Sequence, residues 1–281
     1  MAVSIKKAGL VVVPTLLTLG NGACGLGSIA MATLGRDEIG ETNAIFYAGA
    51  FIFLGMVFDG LDGYVARFLK QTSKFGAELD SLCDVITFTV APVFIMLSLT
   101  DVFPLRFLWS VGVLFMLCGV LRLARFNVEL VPDDEHDWFR GLPTPAAAGT
   151  LASFAVTLPT VQELLAGTTS EGSRQLGEQI ITLSEYSLPV MTFSLAALMV
   201  SRIRYPHVLS QMIRGQWNFF HLVRLIFVVV ALITVHELAL PIVFCYFAFG
   251  RPIALWFRFI GLRVRGLTLF RQSQPRPQED S

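Results

Sequence analysis

The chain has 281 residues, of which 54% are hydrophobic and 15% charged, whereas a soluble domain carries roughly 25% charge. Mean hydropathy is +0.65, and apolar runs about as long as a bilayer-spanning helix recur along most of the chain. The 21 basic and 21 acidic residues cancel, so no basic field for a nucleic-acid partner exists, and four scattered cysteines give neither a disulfide frame nor a zinc cluster. An all-α, polytopic membrane protein in contact with the lipid bilayer is expected.

The hydropathy pattern predicts eight transmembrane helices, at about 10–34, 43–68, 77–100, 105–126, 145–162, 184–203, 219–236 and 239–259. Lys6 and Lys7 before a long apolar stretch resemble a secretory leader, but the stretch is too long for one, so a retained first span is expected. The segment LLAGTTSEGSRQLGEQIITLSEYS (164–187) reads as a solvated connector. HELALP leaves a hairpin of only two or three residues between the last two predicted spans, and TLFRQSQPRPQEDS (268–281) reads as a disordered tail.

Charge bias gives the orientation. Arg36, Arg106 and Arg174 fall in odd-numbered loops, while the other eighteen basic residues lie toward the termini and the even-numbered loops. The positive-inside rule then puts both termini, and the loop between the second and third spans, in the cytoplasm.

That loop lies within FDGLDGYVARFLKQTSKFGAELDSLCD, residues 58–84. Asp59 and Asp62 are three residues apart and share a helix face; Asp80 and Asp84, four apart, do the same on the next helix. A tight loop makes these helices antiparallel neighbours, so the four carboxylates converge at the inner membrane boundary. Crowded carboxylates repel unless cations lie between them, and an oxygen-only set suits Mg²⁺ or Mn²⁺, two of which can clamp a phosphoryl displacement. Gly60, Gly63 and Ala66 leave one helix face nearly bare for a bulky ligand. Arg67 lies one turn beyond Gly63, where its fork can hold a phosphate, and Ser73 adds a hydroxyl in the loop. Glu78 points away from the Asp80/Asp84 face.

The spaced pattern Asp59-x2-Asp62-Gly63-x2-Ala66-Arg67-x8-Gly76-x3-Asp80-x3-Asp84 resembles the signature of the CDP-alcohol phosphotransferase family. The resemblance implies a helical membrane enzyme with two divalent cations that moves a phosphatidyl-type group from a CDP-linked lipid to an alcohol and releases CMP. It implies Asp59, Asp62 and Asp80 as metal ligands, Asp84 as both ligand and base, and Gly63, Arg67 and Ser73 as contacts to the CDP moiety. It also implies a homodimer. A core of residues 1–205, an added transmembrane pair at 206–260 and a basic tail at 261–281 follow as the expected organisation.

Three further stretches, PTLLTLGN (14–21), LRLARFN (121–127) and FRGLPTPAAAG (139–149), resemble family members whose acceptor alcohol is L-serine and whose donor is CDP-diacylglycerol. In the first, Thr18 and Asn21 are carried over to the cytidine end, although Thr15 stands where asparagine is expected. In the second, Arg122, Arg125 and Asn127 are candidates for the serine carboxylate or the lipid phosphate. A bacterial cytoplasmic membrane location accompanies this resemblance. Glycerol 3-phosphate, inositol phosphate or choline as acceptor remain alternatives. A cation transporter would spread acidic residues to mid-membrane, which this chain does not. PDDEHD (132–137) lacks helical spacing in an apolar span and reads as a solvated loop rather than a second metal motif.

Overall fold

The computed structural model describes residues 2–69, 73–129, 138–167, 171–206 and 236–272. Its helices are α1 (Ala2–Thr33), α2 (Gly35–Ile39), α3 (Glu41–Phe68), α4 (Lys74–Asp84), α5 (Ala91–Leu99), α6 (Leu105–Glu129), α7 (Thr144–Gly167), α8 (Glu171–Val200) and α9 (His236–Gln272). A π-helical turn, Val85–Val90, joins α4 to α5, so the third predicted span is one continuous but internally widened rod. Two three-residue strands, β1 (Trp138–Arg140) and β2 (Arg204–Pro206), pair antiparallel with Phe139 opposite Tyr205.

The protein is an all-α polytopic membrane protein. Among the described residues, six stretches are long and apolar enough to cross a membrane: Val13–Thr33, Glu41–Phe68, Lys74–Leu99, Leu105–Val128, Gly177–Val200 and Ala239–Phe257. The fifth predicted span coincides with α7, and the predicted span 219–236 lies outside the described residues except for His236. Three expectations change. The connector 164–187 is helical from Glu171 onward, where Arg174 Nε and Glu178 Oε1 pair at 3.1 Å one turn apart. HELALP belongs to α9 rather than to a hairpin, and α9 continues to Gln272, into the stretch read as a disordered tail. PDDEHD falls outside the described residues.

Helix α7 runs through the centre because its inward face is alanine: Ala147, Ala148, Ala152 and Ala155 are fully buried. Small side chains let helix axes approach closely in a bilayer, where packing rather than hydrophobic exclusion drives association. Gly49 of α3 shows the limit, since a Cβ there would lie 2.8 Å from the Ala152 carbonyl. Ile52, Phe88 and Ile95 fill the space between α3, the π turn and α5, while Phe115, Leu151, Leu188 and Met199 fill the other half. Hydroxyls in the spans donate to carbonyls of neighbouring helices: Ser28 Oγ to Ala48 at 2.8 Å and Ser98 Oγ to Ala32 at 2.9 Å.

Candidate active site

Helix α3 carries Asp59 and Asp62 near its C-terminal end, and α4 carries Asp80 and Asp84 in its last two turns. The start of α4 is fixed by Ser73, whose Oγ accepts the Gly76 amide at 2.9 Å as an N-cap. One carboxylate oxygen each from Asp59, Asp62 and Asp80 lies within 4.8 Å of the others. Asp62 and Asp84 are buried, and Glu78 is exposed on the opposite side of α4, as its spacing predicts. Asp84 stands outside the group of three.

Helix α1 closes the back of this cluster. Thr18 Oγ1 donates to Asp62 Oδ2 at 2.7 Å, and Asn21 Nδ2 donates to Asp84 Oδ1 at 2.9 Å. The π turn then reaches back to α1: Thr87 Oγ1 donates to the Asn21 carbonyl at 2.8 Å. Glycines permit this contact. A Cβ at Gly25 would fall 2.7 Å from Thr87 Cα, and one at Gly55 would sit 3.0 Å from Asn21 Oδ1. Thr87 is a functional neighbour that the sequence reading missed; a hydroxyl fully buried in an apolar run was its only signal.

Among the described residues, the opposite side of the cluster is open. A Cβ added at Gly60 meets nothing within 4 Å, and one at Gly63 meets only the Arg67 guanidinium, at 3.6 Å. Arg67 itself is exposed at the end of α3. The bare helix face expected from Gly60 and Gly63 is therefore present among the described residues, with an exposed arginine at its lip.

The three candidates on α6 separate into different roles. Arg122 is buried, donates to Thr144 Oγ1 at 3.0 Å, lies 5.9 Å from the Phe126 ring centre, and feels the charges of Asp84 and Asp59. Arg125 instead donates to the carbonyl of Arg140 at 2.7 Å and to that of Val200 at 3.4 Å. It fastens α6 to the β1–β2 ribbon. Asn127 Nδ2 donates to Ser81 Oγ at 2.9 Å and ties α6 to α4. Thr144, which holds Arg122, lies in FRGLPTPAAAG, one of the stretches that resemble the serine-accepting members, although the sequence reading gave Thr144 itself no role.

The chemistry available is thus a carboxylate cluster, a buried arginine beside it, and an uncovered glycine face. The CDP-alcohol phosphatidyltransferase profile matches residues 11–200, which spans α1 to α8 and all of these groups. The chain belongs to that family.

Curated relatives of this CDP-alcohol phosphatidyltransferase include the CDP-diacylglycerol–serine O-phosphatidyltransferase of Bacillus subtilis, 32% identical over 73% of this chain and 98% of that protein. The enzyme of the same name from Helicobacter pylori strain 26695 is 39% identical over 58% of this chain and 65% of its own length. An archaetidylserine synthase of Methanothermobacter thermautotrophicus is 34% identical over 72% of this chain and 73% of that protein. The matched stretch thus covers just under two thirds of the Helicobacter relative.

The family is metal-dependent, and the donor set here fits a hard divalent cation. All candidate ligand atoms are carboxylate oxygens, with no histidine or cysteine among them. Asp80 Oδ1 is buried without a hydrogen-bond partner among the described residues, an arrangement that costs free energy unless something else supplies the missing contact.

Proposed function

We propose that the protein transfers the phosphatidyl group of CDP-diacylglycerol to the hydroxyl of L-serine, giving phosphatidylserine and CMP. The observation that carries this reading is the meeting of Asp59, Asp62 and Asp80 within 4.8 Å, next to the uncovered face at Gly60 and Gly63. The names of the relatives supply the acceptor and the donor.

Asp59, Asp62, Asp80 and Asp84 would hold two divalent cations, Mg²⁺ or Mn²⁺, whose chemistry is to neutralise the diphosphate and the charge growing on the departing CMP. The remaining tasks belong to the chain. Gly63 lets the headgroup come close to α3 while the acyl chains stay in lipid. Arg67 and the Ser73 hydroxyl meet the diphosphate from the loop side. Asp84 takes the proton of the serine hydroxyl, and the freed oxygen attacks the phosphorus that bears diacylglycerol. A P–O bond forms, the bond to the CMP phosphate breaks, and CMP departs with its electron pair. Arg122, buried beside Asp84, pairs with the serine carboxylate and points the hydroxyl toward that base.

A cytoplasmic-membrane location with both termini inside rests on the lysine and arginine bias, and a homodimer rests on the family resemblance. The test of the function is CMP release from CDP-diacylglycerol by the purified full chain with Mn²⁺ or Mg²⁺. Serine, glycerol 3-phosphate, inositol phosphate and choline are compared in parallel, beside Asp84→Asn. Release that needs serine, cation and Asp84 supports the reading. Release with another alcohol replaces serine, and no release with any acceptor overturns the assignment.

A further inference from the structure

We infer that Thr18 and Asn21 are positioning residues for the carboxylates rather than contacts to the nucleotide, so that α1 serves as a brace for both aspartate pairs. The inference rests on the phosphatidyl-transfer reading of the acidic site. It departs from the expectation that placed these two residues at the cytidine end.

Three observations support it. Both side chains are sealed: Asn21 has no exposed surface and Thr18 only 5%, so neither offers a face to a base. Both already donate. The single Thr18 hydroxyl proton is shared between Asp62 Oδ2 at 2.7 Å and the Pro14 carbonyl at 3.0 Å, and the Asn21 amide is used on Asp84 Oδ1 at 2.9 Å. The third observation concerns placement. Thr18 and Asn21 lie three apart on one face of α1, and each takes one member of a different pair, Asp62 on α3 and Asp84 on α4. Thr87 fixes the Asn21 backbone in turn, so the brace is itself anchored by the π turn.

Each bond has a distinct consequence. A carboxylate free to rotate presents its oxygens at variable positions, and groups that fix ligand orientation raise affinity for the ion. Thr18 therefore bears on cation affinity through Asp62. Asn21 occupies one oxygen of Asp84 and leaves the other turned toward the acceptor hydroxyl, so it bears on the transfer step.

The experiment measures Mn²⁺ binding directly, by the loss of free-ion electron paramagnetic resonance signal, and serine-dependent CMP release at saturating Mn²⁺. It compares the detergent-purified wild type with Thr18→Val, Thr18→Ser and Asn21→Leu. Thr18→Val should weaken Mn²⁺ binding by about 10- to 100-fold, the range for loss of a group that orients a ligand. Thr18→Ser, which keeps the hydroxyl, should restore it to within about twofold of wild type. Asn21→Leu should lower kcat by a similar about 10-fold or more, with the CDP-diacylglycerol KM held within about twofold. A raised CDP-diacylglycerol KM with unchanged Mn²⁺ binding would return both residues to the nucleotide and overturn the inference. Unchanged binding and kinetics would overturn it too. If Asn21→Leu does not fold, the near-isosteric Thr18 pair decides. Wild type that neither binds Mn²⁺ nor releases CMP would instead sink the underlying functional reading.

Discussion

The Arg125 guanidinium, near the end of α6, donates to the main-chain carbonyl of Arg140 in β1 at 2.7 Å. Its second terminal nitrogen reaches Val200 at 3.4 Å, where α8 ends. Next to it, Gly141 adopts φ +85 and donates its amide to Ile203 at 2.8 Å, closing the β1–β2 ribbon. A Cβ at Gly141 would run into the Met199 carbonyl. Arg125 is therefore a clasp. Hydrogen bonds to a charged donor contribute about 1.5–3 kcal/mol when buried and less when partly solvated, so Arg125→Ala should cost about 1–2 kcal/mol of stability. The serine KM at permissive temperature should stay within about twofold. Thermal unfolding in detergent, paired with serine titration, checks both; a serine KM that rises in step with the stability loss would make Arg125 a substrate contact.

Arg122 is held for a different purpose. It is buried, gripped by Thr144 and placed against Phe126, with the charges of Asp84 and Asp59 beside it. Arg122→Gln should raise the serine KM by about 10-fold or more, as expected when a charged hydrogen bond of about 1.5–3 kcal/mol is lost on substrate binding. The CDP-diacylglycerol KM should move little. Thr144→Val should give the same pattern more weakly, because it frees the guanidinium without removing it. If the lipid KM rises instead, Arg122 binds the diphosphate.

The parts of this site legible in the sequence are those whose partners lie on one helix. Asp59 with Asp62, and Asp80 with Asp84, announce a shared face by spacing alone, and Gly63 and Arg67 announce the gap and its cation. What spacing does not encode is which face of one helix meets another. Thr18 finds its partner 44 residues away and Asn21 finds its own 63 away, and no periodicity relates them. The sequence VITFTV carries no mark of a π turn, and the room that Thr87 of that turn takes is left by glycines far off in the chain, Gly25 and Gly55. The ribbon strands are three residues each, too short for alternation to register, and they depend on Arg125 and Gly141 for their place. Arg122 and Arg125 look equivalent three residues apart, yet one faces the acids and the other a backbone.

Two glycines with opposite surroundings give a paired prediction. A methyl at Gly63 meets only the Arg67 side chain at 3.6 Å, an ordinary contact, and alanine is a better helix former than glycine by about 1 kcal/mol. Gly63→Ala should therefore keep or raise thermal stability while weakening CDP-diacylglycerol, whose headgroup needs that space. Overpacking a close contact costs about 1–3 kcal/mol, so the lipid KM should rise about 5- to 150-fold. Gly25→Ala should do the reverse. Its methyl would press on the Thr87 main chain at 2.7 Å, so stability falls by about 1–3 kcal/mol. Melting curves and lipid titrations of the two variants separate the roles; a stable Gly63→Ala with a normal lipid KM would mean that the headgroup does not use this face.

Tyr205 lies outside the spanning stretches, in β2, and its hydroxyl donates to the Ala248 carbonyl of α9 at 2.8 Å from a fully buried position. Burial pushes the phenol up to about 12, with Arg251 pulling the other way. A free tyrosine ionises near pH 10, so between about 10 and about 12 the unfolded chain releases its proton while the folded one keeps it. The unfolded state then binds fewer protons, and stability falls as pH rises through that window; below about pH 10 the contribution is complete. Tyr205→Phe should lose about 1 kcal/mol at neutral pH for the missing hydrogen bond and should flatten this alkaline decline. Catalysis measured near neutrality should be unchanged, because the ring joins α9 to the ribbon and touches none of the aspartates. Unfolding midpoints of wild type and variant, followed from about pH 8 to about pH 12, decide the matter. Two curves that fall in parallel would show that some other group carries the alkaline sensitivity and that the hold on α9 lies elsewhere.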